Sequence, residues 1–367
     1  MGKAGFELEI GGMQFKEGFK NSVVLAAFQR GENNFFRIEA EGGKVLGGKS
    51  AYPEIVSAPL ATKGDIRFFF EIIKKFCMKA GESAFGESVE IMKGYAGSEV
   101  IVNLYNSPKY QFIVKEKNPS IQTNLSISYQ ALCDLNLGDD FERAKGVAKE
   151  IVEKYGKRLE NVFKRKLMSF FAQLAYQTYV YTKNKIVPTE FCYSSCHINE
   201  EILTDVELHE EAATGTKVSN AKLNFDVLLK TSQAEVLNEI FTEEERAILL
   251  AVLDSYKDSW GRRFEGARGG LPVCIGSYAF AKIRQRVERN IVACNGKEGA
   301  KFVFTEPRIA SIIGIQNGEI VIELRKSENP VNALLREYCD CKRNKELAYI
   351  NNLFPMLKEK YGVEFPD

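Results

Sequence analysis

The chain has few tryptophan and histidine residues and almost no net charge, and it lacks the long apolar runs of membrane and secreted proteins. It contains one tryptophan and two histidines, and its net charge is only +1. No apolar run approaches the roughly 18 residues that a membrane span needs, and the first residues, Met1 to Gly5, lack the apolar core of a secretory signal. We therefore expect no membrane partner and a cytoplasmic location, which would be the host cytoplasm if the protein is viral.

The near-zero net charge gives no overall argument for a polyanionic partner, so any such argument depends on how the charge is distributed. The hydrophobic fraction of 45% and the charged fraction of 27% are those of an ordinary globular protein. The length of 367 residues allows two or three domains. Eight cysteines without a secretory signal predict reduced thiols rather than a disulfide framework.

The N-terminal part, residues 1–137, predicts a β-rich domain. Strand-like runs separated by glycine and asparagine turns lead twice into a helix, first at 65–79 and again at 128–135. This gives two tandem ββββα-like halves. The order, with a last strand that runs straight into a helix at 57–60 and at 125–128, resembles in topology the PUR and Whirly classes of single-strand nucleic-acid binders. That resemblance rests on no sequence motif.

The rest of the chain predicts two further parts. Residues 138–240 form a helical region with two helices broken near Gly156, followed by an acidic excursion at 199–211. Residues 241–367 form an α+β domain that opens with the capping pattern Thr242 to Glu245 and contains an Asn317-Gly318 hairpin turn. The fold class is therefore α+β, with antiparallel sheets, a central long-helix region and a C-terminal α/β-mixed section.

A basic segment rich in arginine, glycine and aromatic residues is the main functional signal. Guanidinium groups pair with phosphate oxygens and aromatic rings stack on unstacked bases, so this composition favours RNA or single-stranded DNA. A second basic cluster lies on the long-helix region. Solvated surface charge and a protein interface remain alternative interpretations. The candidate nucleic-acid-binding residues are Arg262, Arg263, Arg268, Tyr278, Lys282, Arg284, Arg286 and Arg289, with Lys157, Arg158, Lys164 and Arg165.

Two weaker patterns concern ligands. Residues 43–50 match the phosphate-loop pattern G-x-x-x-x-G-K-[ST], in which Lys49 and Ser50 would bind a nucleotide. The preceding strand alternates charges and Pro59 follows soon after, so a glycine-rich hairpin loop is the favoured interpretation. Zinc is considered for one window of thiols and imidazoles, although its spacing is irregular. That window holds Cys192, Cys196, His197 and His209.

No catalytic constellation stands out, so the chain is interpreted as a non-enzymatic RNA-binding or single-stranded DNA-binding subunit without a required cofactor. We expect it to act in a larger, possibly repeating nucleoprotein assembly, as a homo- or hetero-oligomer. The first alternative is a viral or phage-type structural or assembly protein whose basic and acidic segments pair between neighbouring copies. The second is a nucleotide-dependent enzyme that uses Lys49 and Ser50.

Overall fold

The computed structural model describes most of the chain. The described residues are 2–10, 13–15, 23–41, 52–82, 100–104, 110–112, 119–184, 226–229, 236, 239–256, 315, 317–325, 328–340, 342–343 and 345–367. They divide into two compact units. Unit 1 combines Met1–Ser126 with Lys326–Asp367, and unit 2 is Ile127–Arg325. The sequence-based boundaries at 137/138 and 240/241 do not anticipate that residues from both ends of the chain build one unit.

Unit 1 is built on an antiparallel six-stranded sheet, which confirms the α+β class. Its strands are β1 (Ala4–Ile10), β3 (Val23–Arg30), β4 (Asn33–Glu41), β5 (Tyr52–Ser57), β6 (Val100–Leu104) and β8 (Pro119–Ser128), in the order β6-β3-β4-β5-β1-β8. Strands of both predicted halves thus share one sheet. Two short strands, β2 (Met13–Phe15) and β7 (Tyr110–Phe112), pair separately.

One face of this sheet packs on helix α1 (Lys63–Glu82), which the helical spacing of its apolar residues predicts. Rings from the strands and from α1 interlock: the Phe6 and Phe70 centroids lie 4.8 Å apart and those of Phe36 and Phe69 lie 5.6 Å apart. Thr62 begins the helix by accepting a hydrogen bond from the backbone N–H of Asp65 at 3.0 Å. These rings are almost fully buried and form the core of unit 1.

The C-terminal segment completes unit 1 with α5 and α6. The ranges of these helices are Pro330–Cys339 for α5 and Leu353–Tyr361 for α6, with a 3₁₀ turn, Leu347–Asn352, between them. Asn329 caps α5 by accepting a hydrogen bond from Val331 N, and Pro330 occupies its first turn. The chain then returns to the N-terminal residues, where Gly2 N donates to Glu364 O at 3.1 Å.

Unit 2 is mainly helical in its described part. Helix α2 (Asp139–Tyr155) ends in a 3₁₀ turn, Gly156–Arg158, and α3 (Asn161–Asn184) follows, so the predicted break near Gly156 is confirmed. Helix α4 (Glu243–Tyr256) begins at the predicted capping pattern, and strands β9 (Val227–Leu229) and β10 (Glu319–Leu324) pair antiparallel.

Two short segments of unit 2 can be compared with the sequence-based predictions. The turn before β10 has left-handed Asn317 and Gly318, with φ of 54° and 76°, which is the conformation that a two-residue hairpin turn requires. The apolar run after β8 forms a 3₁₀ helix, Tyr129–Asp134, rather than the predicted α-helix. The i→i+3 pattern continues at its end, where Leu135 N donates back to Leu132 O, three residues earlier.

Candidate nucleic-acid interface

The basic cluster of unit 2 lies where α2 ends and α3 begins. Gly156 stops α2, and Leu159 N donates to Gly156 O at 3.0 Å to close the 3₁₀ turn. Gly156 is buried, and a Cβ atom there would lie 3.2 Å from Val152 Cγ1 and 3.6 Å from Lys164 Cε. The apolar stem of Lys164 therefore packs against this turn and brings its ammonium group beside the residues of the turn.

Three of the four predicted basic residues here have no partner in the described part of the chain. Lys157 and Arg158 are exposed and Lys164 is half-buried. None of them forms an ion pair or side-chain hydrogen bond with another described residue. The nearest acidic residue in sequence, Glu160, is exposed and does not pair with them either. We call Lys157, Arg158 and Lys164 the basic turn.

The position of the basic turn strengthens its positive potential. The first turn of α3 contains no acidic residue, and its unsatisfied N–H groups carry the positive end of the helix dipole. Lysine and arginine are unfavourable at this end of a helix, because the dipole repels them. The sequence nevertheless has Lys164 and Arg165 there. The electrostatic cost would be relieved by an anion that binds at the helix start.

Arg165, the fourth predicted residue, has a different environment. Its guanidinium group pairs with Asp134 and also donates to the carbonyl oxygen of Gln130 at 3.5 Å. Both acceptors belong to the 3₁₀ helix Tyr129–Asp134, so Arg165 fastens that element to α3. About half of the Arg165 side chain remains exposed. Arg165 therefore has a structural role, and it is a weaker candidate for phosphate binding than the basic turn.

The remaining predicted ligand-binding residues lie outside the described residues. These are the residues of the 262–289 segment, the Cys192, Cys196, His197 and His209 window, and the pair Lys49 and Ser50. The context of that last pair is nevertheless described, because β4 ends at Glu41 and β5 begins at Tyr52, and these strands pair antiparallel. A phosphate loop instead leads from a strand into a helix.

A row of carboxylates crosses the sheet of unit 1, and no local sequence pattern predicts it. Glu54 on β5 lies directly opposite Glu9 on β1 and directly opposite Glu39 on β4. The three side chains therefore point to one face of the sheet, the face away from the phenylalanine core. Glu39 and Glu54 are 8% and 4% exposed. We call Glu9, Glu39 and Glu54 the carboxylate row.

Aligned like charges destabilise a sheet, and buried carboxylates need compensation. Arg37 supplies part of it, with Nε 3.0 Å from Glu39 Oε2. On the same face Asn124 Nδ2 donates to Glu7 Oε1 at 2.6 Å, while the buried Asn124 Oδ1 accepts no hydrogen bond from a described residue. Within the described residues, no three His, Cys, Asp or Glu side chains are arranged to hold a metal ion.

Comparisons with known proteins add little. No family model matches the chain, and no curated protein matches it. One solved structure that aligns is described as a Vibrio cholerae toxin from the MARTX/VgrG family. The alignment covers 90% of this chain and 95% of that chain, at 12% sequence identity and a TM-score of 0.48. A likeness at this level supports no argument about fold or function. None of the described helices is long and apolar enough to cross a membrane.

Proposed function

We propose that the chain is a non-enzymatic subunit that binds RNA or single-stranded DNA, with the basic turn as one of its phosphate contacts. The observation that carries the proposal is the basic turn itself, three cations without an acidic partner among the described residues at the start of a helix. Cationic groups that lack protein partners bind the phosphate backbone and release its counterions. The 262–289 segment would extend the contact.

The near-neutral net charge suits this function if several copies act together. Each copy then supplies a short basic strip along the strand, while its acidic faces limit nonspecific binding. The acidic segment 199–211 would act in this way, because a polynucleotide avoids other anions. Assembly into a homo- or hetero-oligomer is part of the proposal.

The test is a titration of a labelled single strand, RNA and DNA in turn, at low salt. A variant that neutralises the basic turn, Lys157→Gln/Arg158→Gln/Lys164→Gln, should bind at least about tenfold more weakly, since charge-assisted phosphate contacts are lost. A control variant removes three exposed charges from unit 1 and should bind like the wild type. Its substitutions are Lys75→Gln, Lys358→Gln and Lys360→Gln.

Three outcomes would count against this function. Wild-type protein without affinity for RNA or DNA would refute it. Equal weakening in both variants would show that only overall charge matters, and not the basic turn. Concentration-dependent self-assembly of protein that binds neither RNA nor DNA would instead favour the structural or assembly alternative.

A second function, nucleotide-dependent catalysis, has one observation in its favour, although a strand-to-strand connection is not the strand-to-helix context of a phosphate loop. The 43–50 glycine segment joins β4 to β5, and those two strands carry the buried, directly opposed Glu39 and Glu54. Magnesium that accompanies a nucleotide is commonly bound by one or two carboxylates together with phosphate oxygens. Glu39 and Glu54 would meet that need without a three-carboxylate site, once Glu39 had exchanged its Arg37 partner for the metal.

This alternative is tested by magnesium-dependent binding of ATP or GTP. Binding should be abolished by Lys49→Ala and weakened at least about tenfold by Glu54→Gln, because each change removes a charge that would face the nucleotide or its metal. Glu71→Gln, on the exposed side of α1 where Glu71 pairs with Lys75, is the control. Wild-type protein that binds neither nucleotide in the presence of magnesium would exclude this function.

A further inference from the structure

Unit 1 buries two cysteine thiols beside each other. Cys77 lies near the C-terminal end of α1, and Cys339 is the last residue of α5. Both are 0% exposed, and their thiols are within hydrogen-bonding contact. The two residues come from the two separate stretches of chain that build unit 1. Neither forms a disulfide in this structure.

A buried lysine accompanies the two thiols. Lys74, one helical turn before Cys77, is 8% exposed, and its Nζ lies 4.6 Å above the ring of Tyr338, the neighbour of Cys339. No described carboxylate forms an ion pair with it. Burial lowers the pKa of Lys74, while the nearby Cys339 and Glu346 act to raise it. Burying an ammonium group that forms no ion pair costs free energy, which a neighbouring group that can become negative, such as a thiol, would reduce.

The lysine acts on the Cys339 thiol. Burial is the largest influence and raises the pKa of that thiol, contact with Cys77 acts in the same direction, and the Lys74 ammonium acts to lower it. The thiolate is the reactive form of cysteine, and a neighbouring cation favours it. Cys339 is therefore a protonated thiol while it is buried. It reacts once local opening exposes it to water, with Lys74 beside it to favour the thiolate and Cys77 next to it as the resolving thiol.

We infer that Cys77 and Cys339 are a redox-active pair that a peroxide oxidises to a disulfide and a dithiol reductant restores. In the first step the Cys339 thiolate attacks hydrogen peroxide, the O–O bond breaks, and Cys339 becomes a sulfenic acid as water leaves. In the second step the Cys77 thiolate attacks that sulfur, the S–O bond breaks, and a second water leaves. The two thiols lose two electrons and two protons, which reduce one peroxide to two waters.

Both thiols are fully buried, so peroxide reaches Cys339 only when the end of α5 opens locally. Cys339 is its final residue, and the next residue, Asp340, has left the helical conformation, with φ of −63° and ψ of 117°. Helix ends open locally at much lower cost than the whole fold. The reaction is accordingly slower than at an exposed thiol. Its product ties α1 to α5, and so joins the two chain stretches of unit 1 covalently.

The experiment treats the reduced full-length protein with hydrogen peroxide, blocks the remaining thiols and maps the peptides by mass spectrometry without reduction. We expect a Cys77–Cys339 linked peptide, the loss of two hydrogen atoms from the intact mass, and full reversal by dithiothreitol. The oxidised protein should melt about 5 °C or more above the reduced protein, because the new link closes a long loop. The wild-type map alone decides the assignment, so it does not depend on a variant that folds.

Variants then test the roles of the groups. Cys77→Ser should abolish the linked peptide, whereas Cys133→Ser, which removes a half-exposed thiol of unit 2, should leave it unchanged. Lys74→Met keeps the apolar stem and should slow disulfide formation about tenfold, which a purely structural lysine would not do. A link from Cys339 to Cys341, sulfinic acid at Cys339 without any disulfide, or no reaction under peroxide would each overturn the proposal.

Discussion

The ion pair between Lys166 and Glu245 should be one of the strongest polar contacts in unit 2. Lys166 Nζ lies 2.7 Å and 3.0 Å from the two carboxylate oxygens of Glu245, and the two side chains are only 12% and 17% exposed. Glu245 also closes the capping box of α4: its carboxylate accepts from Thr242 N at 2.9 Å, and its own N–H donates to Thr242 Oγ1 at 3.3 Å. The pair thus joins α3 to the start of α4.

The burial of the pair sets how much unfolding free energy is lost when one of its members is removed. Removing one member of a fully buried pair costs about 3 to 5 kcal/mol, and the partial exposure here reduces that to about 2 kcal/mol for either Lys166→Met or Glu245→Gln. In the double variant neither charge is left unpaired, and glutamine can still accept the capping hydrogen bond. Its cost should also be about 2 kcal/mol, rather than the additive value of about 4 kcal/mol, which gives a coupling energy of about 2 kcal/mol.

The assay is urea unfolding of the wild type, both single variants and the double variant, followed by far-UV circular dichroism at low and high salt. High salt should change the coupling energy little, because solvent screens a mostly buried pair weakly. Additive costs in the double variant would refute the reasoning, since they would mean that Lys166 and Glu245 act independently. Coupling that disappears at high salt would show that the pair is as accessible as an ordinary surface ion pair.

Three further results are expected. Gly2→Ala should destabilise unit 1 by about 1 to 3 kcal/mol in thermal unfolding, because its Cβ would lie 2.4 Å from Val363 Cγ1. Gly64→Ala should not, because its Cβ would make only an ordinary contact of 3.7 Å with Thr62 Oγ1. Glu337 has its pKa lowered from 4.5 to about 2, first by the hydrogen bond from Tyr349, so the stability that it contributes is complete above pH 4.5 and is lost as the pH falls towards 2. Melting curves of Glu337→Gln and wild type should therefore converge in acid, and a constant difference down to pH 2 would contradict this assignment. If the chain binds a single strand, neutralising the three residues of the basic turn should reduce the slope of log affinity against log salt by about 2, and an unchanged slope would exclude phosphate contacts there.

Local features of the fold are well predicted from the sequence, because they depend on neighbouring residues. The phenylalanine spacing of α1, the break at Gly156 and the capping residues Thr242 and Glu245 each determine a helix or its end. The left-handed Asn317-Gly318 turn is another such case. These elements can be predicted without information on the rest of the chain.

Strand pairing and side-chain partners were beyond prediction. The alternating charges of β4 suggested a half-exposed strand, but Glu39 is buried because β4 lies between β3 and β5 and because Arg37 pairs with it. The carboxylate row exists only in the register of three strands, which no local pattern gives. Similarly, four basic residues near Gly156 look alike in sequence, and only the contact with Asp134 distinguishes Arg165 from the basic turn.

The construction of unit 1 from two stretches of chain bears on how the protein is made. Residues 1–126 are translated before unit 2, and residues 326–367 are translated after it. Until the second stretch has been translated, α1 lacks its α5 partner, and the α1 surface around Cys77 stays uncovered. Unit 2 can fold before that point, whereas the sheet-bearing unit must wait for its second stretch. Stalled or truncated chains should therefore accumulate as species with a finished unit 2 and an unfinished unit 1.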